Sequence, residues 1–314
     1  MQLEEYCVLR QKRGKKKCTS CQKCIKGCPV NALELVDGVP EKVRKDHCID
    51  CTFCLDICPQ RMHHDTQNIY DNQKFYKEYQ AMRNSPQELN QVLEQPAIKS
   101  LLPSCNHASV LELGCGNGQF CNYLIDQGAD KVIGVDVSKN MLQDAAQYIT
   151  DNRITLIESS IEEFEFGYAQ YDLVVSSLAF HYINDLNAVF DKIQTCLKDR
   201  GYLIFSMEHP IITCSHGIHP GWHKNDQGKK LYWPVDVYSY EGSRTSYWFV
   251  EGVIRYHRKF SSIINGLVDN GFVIERVLEP HAVEQAETER PFLLEEKRRP
   301  SFLTVKARKL AEDS

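Results

Sequence analysis

The chain has 314 residues with 25% charged side chains and a mean hydropathy of −0.41, the composition of a water-soluble protein of about two domains. No apolar run approaches the ~18 residues that span a bilayer, and Lys15–Lys17 stand where a secretory signal needs an apolar stretch. We therefore expect a cytoplasmic protein without membrane contact. With 37 basic and 42 acidic residues, the net charge of −5 does not favour nucleic acid as an obligatory partner.

The fourteen cysteines are distributed unevenly. Nine lie in the first 58 residues and five in the remaining 256, which divides the chain into two unlike parts. A disulfide scaffold needs an oxidising compartment, for which we find no targeting signal. The clustered thiols are therefore predicted to bind metal.

The amino-terminal part contains the spacing C-x2-C-x2-C-x3-C-P twice, as CTSCQKCIKGCP over residues 18–29 and CIDCTFCLDICP over residues 48–59. This spacing is typical of [4Fe–4S] clusters, in which three cysteines of one loop bind one cluster and the fourth binds the other. Two crossed ligand sets follow: Cys18, Cys21, Cys24 and Cys58 for one cluster, and Cys48, Cys51, Cys54 and Cys28 for the second.

A structural zinc ion is the alternative ligand, but it needs only four thiolates per site, and eight cysteines in this doubled order favour iron. Residues 15–62 resemble a bacterial two-cluster ferredoxin domain, except that Gln22 and Thr52 stand where glycine often follows the second cysteine. Iron atoms whose coordination positions are all filled suit outer-sphere electron transfer or a structural role. The basic run over residues 10–17 would dock an acidic redox partner or form a solvated arm.

The second part of the chain has the periodicity of an α/β protein. Amphipathic stretches such as residues 139–149 and 186–197 alternate with short apolar runs that are typical of buried strands. These runs predict a doubly wound parallel sheet, with residues 272–278 and 301–307 as an antiparallel hairpin at its edge. The predicted parallel strands cover residues 110–113, 131–135, 154–157, 173–175 and 202–205.

The first of these strands leads into LELGCGNG, which places Gly114, Gly116 and Gly118 at a turn into a helix. Glycines there allow backbone donors and a helix N-terminus to approach a nucleotide, and Asp136, ending the second strand, is placed to accept both ribose hydroxyls. These residues alone do not identify the cofactor. A dinucleotide fingerprint needs glycine where Gln119 stands, so an NAD(P)-linked oxidoreductase that reduces the clusters is the chief alternative.

Further motifs accompany the glycine loop, namely GVDVSKNML, YDLVVSSLAFHYI, GYLIFSMEHP, WPVDVYSYEGSR, YHRKF and EKRRPSFL. Through them, residues 70–310 resemble a class I S-adenosylmethionine-dependent methyltransferase of the bacterial kind labelled methyltransferase type 11. The resemblance implies a Rossmann-like α/β fold, a seven-stranded sheet whose carboxyl edge binds S-adenosylmethionine, preceded by a small α+β ferredoxin-like domain. It divides the chain into residues 1–66 and 67–314, with residues 206–271 as a substrate cover.

The same resemblance implies a set of residues that bind the methyl donor. The glycines would flank its methionine part, Glu112 would organise their loop, and Asp136 would take the ribose. Such enzymes more commonly have an acidic residue where this chain has Ser160. For Tyr79 and Arg83, the alternative is a plain pair of side chains on a helix surface. The other positions would contact the adenine (Val137, Met141, Ser160 and Ile161), the reacting methyl (Ser177 and Leu178) or the donor carboxylate (Tyr79 and Arg83).

Candidate general bases follow the ends of the predicted strands. A sulfonium methyl is already electrophilic, so transfer needs a nucleophile held in line, with a base only where that nucleophile carries a proton. His181 follows the fourth strand. Glu208 and His209 follow the fifth, where Pro210 is expected to aim both side chains toward the cleft. A purely structural role is the alternative for any lone histidine.

Residues 222–260 hold ten of the chain's aromatic side chains and all three tryptophans. With Arg244, Arg255 and Arg258 they suit a planar or anionic acceptor, although a packed lid has the same composition. We predict an enzyme that transfers methyl from S-adenosylmethionine to a small molecule and carries two [4Fe–4S] clusters for electron transfer or structure. A redox-sensing module that binds the donor without forming a methylated product is a further alternative.

Overall fold

The structure is a computed structural model, and several parts of the predicted iron–sulfur region lie outside the residues that it describes. Five predicted cluster ligands are among them, Cys18, Cys48, Cys51, Cys54 and Cys58, as is the expected boundary at residue 66. No helix in the described part of the chain is long and apolar enough to cross a bilayer. The described ranges are 21–28, 30–36, 39–47, 68–83, 85, 88–214, 221–282 and 284–311.

The described part of the amino-terminal region combines one short helix with a hairpin. Helix α1 (Lys23–Lys26) precedes strands β1 (Leu33–Val36) and β2 (Val39–Lys42), which pair antiparallel. Between them, the backbone N–H of Ala32 donates to the sulfur of Cys28 at 3.2 Å. Such bonds stabilise negative charge on a cysteine sulfur, as a thiolate ligand requires.

Eleven further strands lie in residues 109–309, and seven of them form one mixed sheet. Its order is β12-β13-β7-β6-β3-β4-β5, with β3 to β7 parallel and β13 antiparallel to both β7 and β12. The predicted parallel sheet with an antiparallel edge hairpin is confirmed. The strands are β3 (Ser109–Leu113), β4 (Lys131–Asp136), β5 (Ile154–Glu158), β6 (Tyr171–Ser176), β7 (Leu197–Glu208), β8 (His223–Lys224), β9 (Lys230–Tyr232), β10 (Gly242–Trp248), β11 (Val250–His257), β12 (Phe272–Leu278) and β13 (Phe302–Lys309).

The helices connect the strands, and some of them begin at a side-chain cap. The side chain of Ser138 accepts from the N–H of Met141 at the start of α5, and Asp185 caps α6 in the same way. A π-helical turn (Asn90–Glu94) runs directly into α3. The helices are α2 (Gln73–Arg83), α3 (Gln95–Ser100), α4 (Gln119–Asp126), α5 (Lys139–Tyr148), α6 (Leu186–Cys196), α7 (Pro210–Thr213), α8 (Phe260–Asp269) and α9 (Glu284–Glu289).

The core lies on both faces of the large sheet. Along β7, Leu203 and Phe205 belong to one buried cluster and Ile204 to another, because successive side chains of a strand point to opposite faces. Helix α6 supplies Phe190 to the first cluster, and α4 supplies Leu124 to the second. Burial on both faces explains why the parallel strands are continuous apolar runs without polar alternation.

Candidate active site

A cavity of about 1280 Å³ opens where the parallel strands end. Pockets for one small molecule have volumes of about 300–1,000 Å³, so this one has room for a donor and an acceptor together. Gly118 and His209 are the described members of the predicted binding and catalytic set that do not line it. The fourteen that do are Tyr79, Arg83, Glu112, Gly114, Gly116, Asp136, Val137, Met141, Ser160, Ile161, Ser177, Leu178, His181 and Glu208.

The glycines of the loop between β3 and α4 are required by the backbone conformation and close packing of the loop. Gly114 has a φ of +75°, and a Cβ there would lie 2.5 Å from the Cβ of Ala179. Gly118 also has a positive φ and caps α4, but a Cβ on it would meet the side chain of Ile149 on the protein side. Gly118 is therefore needed for helix packing, and Gly114 for the shape of the cavity wall.

Asp136 has acceptor capacity left for a ligand. Its Oδ2 accepts from the N–H of Gly116 and its Oδ1 from the N–H of Ser138, both at 2.8 Å. Burial raises the pKa of Asp136, and these two backbone N–H groups oppose that shift. A carboxylate has about four lone-pair sites, so two remain on a side chain that lines the cavity. The residues present thus fit a ribose with two hydroxyls.

An acidic residue, Glu163, lies three positions after Ser160. Glu163 lines the cavity, its carboxylate accepts from the hydroxyl of Ser160 at 3.2 Å, and its N–H donates to that hydroxyl. Sequence reasoning missed Glu163 because it searched one fixed position after β5. The neighbouring wall is formed by Val137 and Met141, in the place predicted for an adenine ring.

Helix α2 contributes Tyr79 and Arg83 to the cavity wall. Burial raises the pKa of Tyr79 to about 12, so its phenol is neutral at physiological pH. The guanidinium of Arg83 lies 2.8 Å from the carboxylate of Glu88. Its side chain is only 21% exposed, which argues against a simple surface pair with Tyr79.

A buried ion pair stands at the end of β7. The Oε2 atom of Glu208 lies 3.1 Å from Nε of Arg255, and the guanidinium of Arg255 lies 5.0 Å above the ring of Trp248. Burial raises the pKa of Glu208, while Arg255 and Arg299 lower it. All four side chains line the cavity. Trp248 and Arg255 belong to the predicted aromatic segment, whereas Arg299 lies in the motif EKRRPSFL, to which sequence reasoning gave no individual role.

The other two arginines of that segment donate hydrogen bonds to backbone carbonyls. Arg244 donates to the carbonyls of Cys214 and Ser243, and Arg258 donates to the carbonyl of Asn184. Neither is among the described residues that line the cavity. Of the three predicted arginines, only Arg255 lines the cavity.

The two candidate histidines have different surroundings. Nδ1 of His181 accepts from the N–H of Glu208 at 3.3 Å, and burial together with Arg255 and Arg258 lowers the pKa of His181 well below its usual value. A neutral imidazole that accepts at Nδ1 carries its proton on Nε2. His181 is therefore a hydrogen-bond donor at its remaining nitrogen.

His209 points away from the cavity, contrary to the expectation that Pro210 aims it inward with Glu208. Its Nδ1 accepts from the N–H of Ile211, which caps α7, and its Nε2 lies 2.9 Å from Glu279. Successive residues at the end of a strand point to opposite sides, and the α7 cap holds His209 on the outer one.

Two sequence families match the two parts of the chain. The profile of a family described as a methyltransferase domain matches residues 111–205, and that of a 4Fe-4S dicluster domain matches residues 10–59. An uncharacterised protein of Haemophilus influenzae is 36% identical over 249 residues, which is 77% of this chain and 97% of the relative.

Two solved structures are similar to this chain. An S-adenosylmethionine-dependent methyltransferase of Mesorhizobium loti is 36% identical, with a TM-score of 0.65 over 69% of this chain and 97% of its own. A protein of Listeria monocytogenes classed with the same enzymes is 38% identical, with the same TM-score over 69% of this chain and 96% of its own. The chain belongs to the S-adenosylmethionine-dependent methyltransferases. The predicted enzyme class and the Rossmann-like fold are confirmed.

The match to the 4Fe-4S dicluster family covers both cysteine motifs of this methyltransferase. Three predicted ligands, Cys21, Cys24 and Cys28, lie within the described residues, and no group of three or more metal-ligating side chains forms among those residues. The N–H of Ala32 that donates to Cys28 fits a thiolate ligand. The number of clusters and their assignment to individual cysteines stay predictions.

Proposed function

We propose that this methyltransferase transfers the methyl group of S-adenosylmethionine to a small-molecule acceptor bound between the ends of β6 and β7 and residues 206–271. The size of the cavity supports the proposal most directly, since one cofactor does not fill it. The acceptor would lie against Trp248, Arg255 and Glu208, which line the cavity beyond the strands that form the donor part.

The donor supplies an electrophilic methyl on a sulfonium. Asp136 would accept the ribose hydroxyls with its unused lone pairs, and the turn around Gly114 would admit the methionine part. Val137 and Met141 would border the adenine, and Arg83 would face the donor carboxylate. The protein's part in catalysis is then mainly to hold the acceptor atom in line with the methyl, because proximity and orientation account for much of the rate.

Glu208 is the proposed general base for an acceptor that loses a proton. His181 is a donor at its remaining nitrogen, and His209 lies outside the cavity. The carboxylate of Glu208 faces the cavity, and burial raises its pKa, which strengthens it as a base. The positive charge of Arg255, 3.1 Å away, opposes that rise in pKa.

The amino-terminal region is proposed to bind two [4Fe–4S] clusters through the eight cysteines of its two motifs. The dicluster match over residues 10–59 supports this assignment. We propose that the clusters transfer electrons, either to a reducible substrate or to a partner enzyme. Methyl transfer that is unchanged when the clusters are reduced, or removed by Cys-to-Ser changes, would leave them with only a structural role.

Incorporation of a labelled methyl group tests the acceptor class. The enzyme is incubated with a cell extract and S-adenosylmethionine labelled in its methyl, and the extract is then separated into small molecules, protein and nucleic acid. We expect label in the small-molecule fraction, and much less of it with Glu208→Gln. Label found only in protein or nucleic acid would contradict the proposal of a small-molecule acceptor.

A further inference from the structure

A carboxylate with no exposed surface, Glu94, lies behind the turn that follows β6. It is the last residue of the π-helical turn that precedes α3. Its Oε1 accepts from the hydroxyl of Ser177 at 2.9 Å and from the hydroxyl of Ser206, and its Oε2 accepts from the amide of Gln95 at 2.9 Å. One buried side chain therefore connects the amino-terminal helices to the ends of β6 and β7.

The carboxylate determines which way the hydroxyl of Ser206 points. The hydroxyl of Ser206 donates to Oε1 of Glu94 and turns its lone pairs elsewhere. Those lone pairs receive the N–H of Leu178 at 3.1 Å, and the same N–H is 3.1 Å from the carbonyl of Ser206. The result is a directed chain of hydrogen bonds that runs from Leu178 through Ser206 to Glu94.

This series of hydrogen bonds holds Leu178 in a conformation that a leucine rarely adopts. Leu178 has a φ of +53° and lines the cavity at the position predicted to face the reacting methyl. A non-glycine residue persists in the left-handed region only where its surroundings impose it. Here the hydroxyl and the carbonyl of Ser206 both accept the N–H of Leu178. The orientation of that hydroxyl depends on Glu94.

The other side of Glu94 reaches the predicted donor carboxylate site. With its amide nitrogen turned toward Glu94, Asn90 donates to Oε2 at 2.8 Å, and its amide oxygen accepts from Arg83. The guanidinium of Arg83 is also paired with Glu88 at 2.8 Å. Glu94 is thus linked both to Arg83 and to the turn of Ser177 and Leu178.

We propose that Glu94 is a positioning residue for methyl transfer, which fixes the Ser177–Leu178 turn and Arg83 relative to each other so that the sulfonium methyl is held in one place. The inference rests on donor binding at this site and is independent of the acceptor and of the base assigned to Glu208. A buried carboxyl group is destabilising unless its hydrogen bonds are satisfied, and four donors are directed at Glu94. Burial raises the pKa of Glu94, and the hydrogen bonds from Ser206, Ser177 and Gln95 oppose that shift.

The test compares Glu94→Gln and Ser206→Ala with a matched control, Glu287→Gln. Glu287 is a glutamate of similar burial that pairs with Lys297 and lies outside the cavity lining. Three properties are measured on the full chain: calorimetric affinity for S-adenosylhomocysteine, the ¹³C-methyl resonance of bound, methyl-labelled S-adenosylmethionine, and the thermal unfolding midpoint.

A positioning role predicts that Glu94→Gln weakens S-adenosylhomocysteine binding about tenfold and Ser206→Ala about threefold to fivefold. Both variants should shift the methyl resonance. Glu287→Gln should lower the unfolding midpoint comparably while leaving affinity and resonance unchanged.

The inference is overturned if Glu94→Gln and Ser206→Ala bind as the wild type does with an unshifted resonance. It is equally overturned if affinity falls in Glu287→Gln in proportion to its lost stability, because a general structural effect then explains the result. Should Glu94→Gln fail to fold, Ser206→Ala decides alone, since it removes a single hydroxyl. A wild type that binds no donor would instead refute the proposed donor site.

Discussion

Nδ1 of His181 accepts a hydrogen bond from the backbone N–H of Glu208, 3.3 Å away. This contact separates the roles of two neighbouring candidates. It leaves His181 a proton on Nε2, and it leaves the carboxylate of Glu208 as the group able to take one. Two expectations for turnover follow from this division.

Glu208→Gln should lower the rate of methyl incorporation by about 10²–10⁴-fold, the usual contribution of a general base. Affinity for S-adenosylhomocysteine should stay at the wild-type value, because the change is at the acceptor side. His209→Ala is the control and should leave the rate unchanged, since His209 caps α7 outside the cavity. A normal rate in Glu208→Gln would show that the acceptor needs no base from this residue.

The pH dependence of turnover at saturating donor should show one carboxyl ionisation and no histidine. Burial raises the pKa of Glu208 above its ordinary value of 4.5, so the rate should rise with pH through that higher pKa as the base form appears. The pKa of His181 lies well below 6.5, so it stays neutral across the range. An inflection near pH 6.5 that vanishes in His181→Asn would contradict the assignment.

Asp136→Ala should weaken binding of S-adenosylhomocysteine by about 1.5–3 kcal/mol, because two charge-assisted hydrogen bonds to the ribose are lost. Calorimetry at one pH and salt concentration measures the change. Asp172→Asn provides the control, since Asp172 is partly exposed, pairs with Lys198 and lies outside the cavity lining. Equal affinity of wild type and Asp136→Ala would remove the ribose role.

Glu112 should make stability depend on pH. Burial raises the pKa of Glu112 from its ordinary 4.5 to about 8, so the folded protein holds a proton that the unfolded chain releases. The stabilisation is complete below pH 4.5 and is lost as the pH rises to about 8, up to about 5 kcal/mol in all. Urea unfolding without ligand should show a smaller decline in Glu112→Gln than in wild type, and burial, which also raises the pKa of Asp136 and of Glu208, leaves the rest.

The control for that series is Glu158→Gln, because Glu158 is 53% exposed and pairs only loosely with Lys139. It should retain the wild-type decline. The same slope in wild type and Glu112→Gln would mean that another group releases the proton.

The iron–sulfur assignment predicts about eight iron atoms per chain after anaerobic purification. The visible absorption of the clusters should bleach on reduction. In the crossed arrangement Cys28→Ser and Cys48→Ser damage the same cluster, so the double variant should lose no more iron than either single one. Additive losses would contradict the crossed pairing, and zinc in place of iron would refute the clusters.

The parallel sheet was predictable because burial on both faces leaves continuous apolar runs, and its edge hairpin because residues 272–278 follow a different rhythm. The boundaries of the strands were less predictable. β7 begins at Leu197, five residues before the predicted run, and residues 198–200 between them are polar and exposed, so no apolar run marks its start. Pairing with Tyr171 through the irregular register extends it.

The donor part of the site was predictable for a topological reason. Residues that follow parallel strands meet at one edge of the sheet, so Gly114, Asp136 and Ser177 come together whatever the loops do. Glu94 and Arg299 were not predictable. Each is a charged residue in a sequence context typical of a solvated helix or turn, and only tertiary packing reveals the buried partners that they contact.

Calorimetric titration of the purified wild-type chain with S-adenosylhomocysteine, and separately with NADH, tests the central claim most directly. Binding of one S-adenosylhomocysteine per chain with no heat from NADH is the predicted result. Binding of NADH without S-adenosylhomocysteine would contradict a methyl-donor site at the glycine loop and would favour the oxidoreductase alternative.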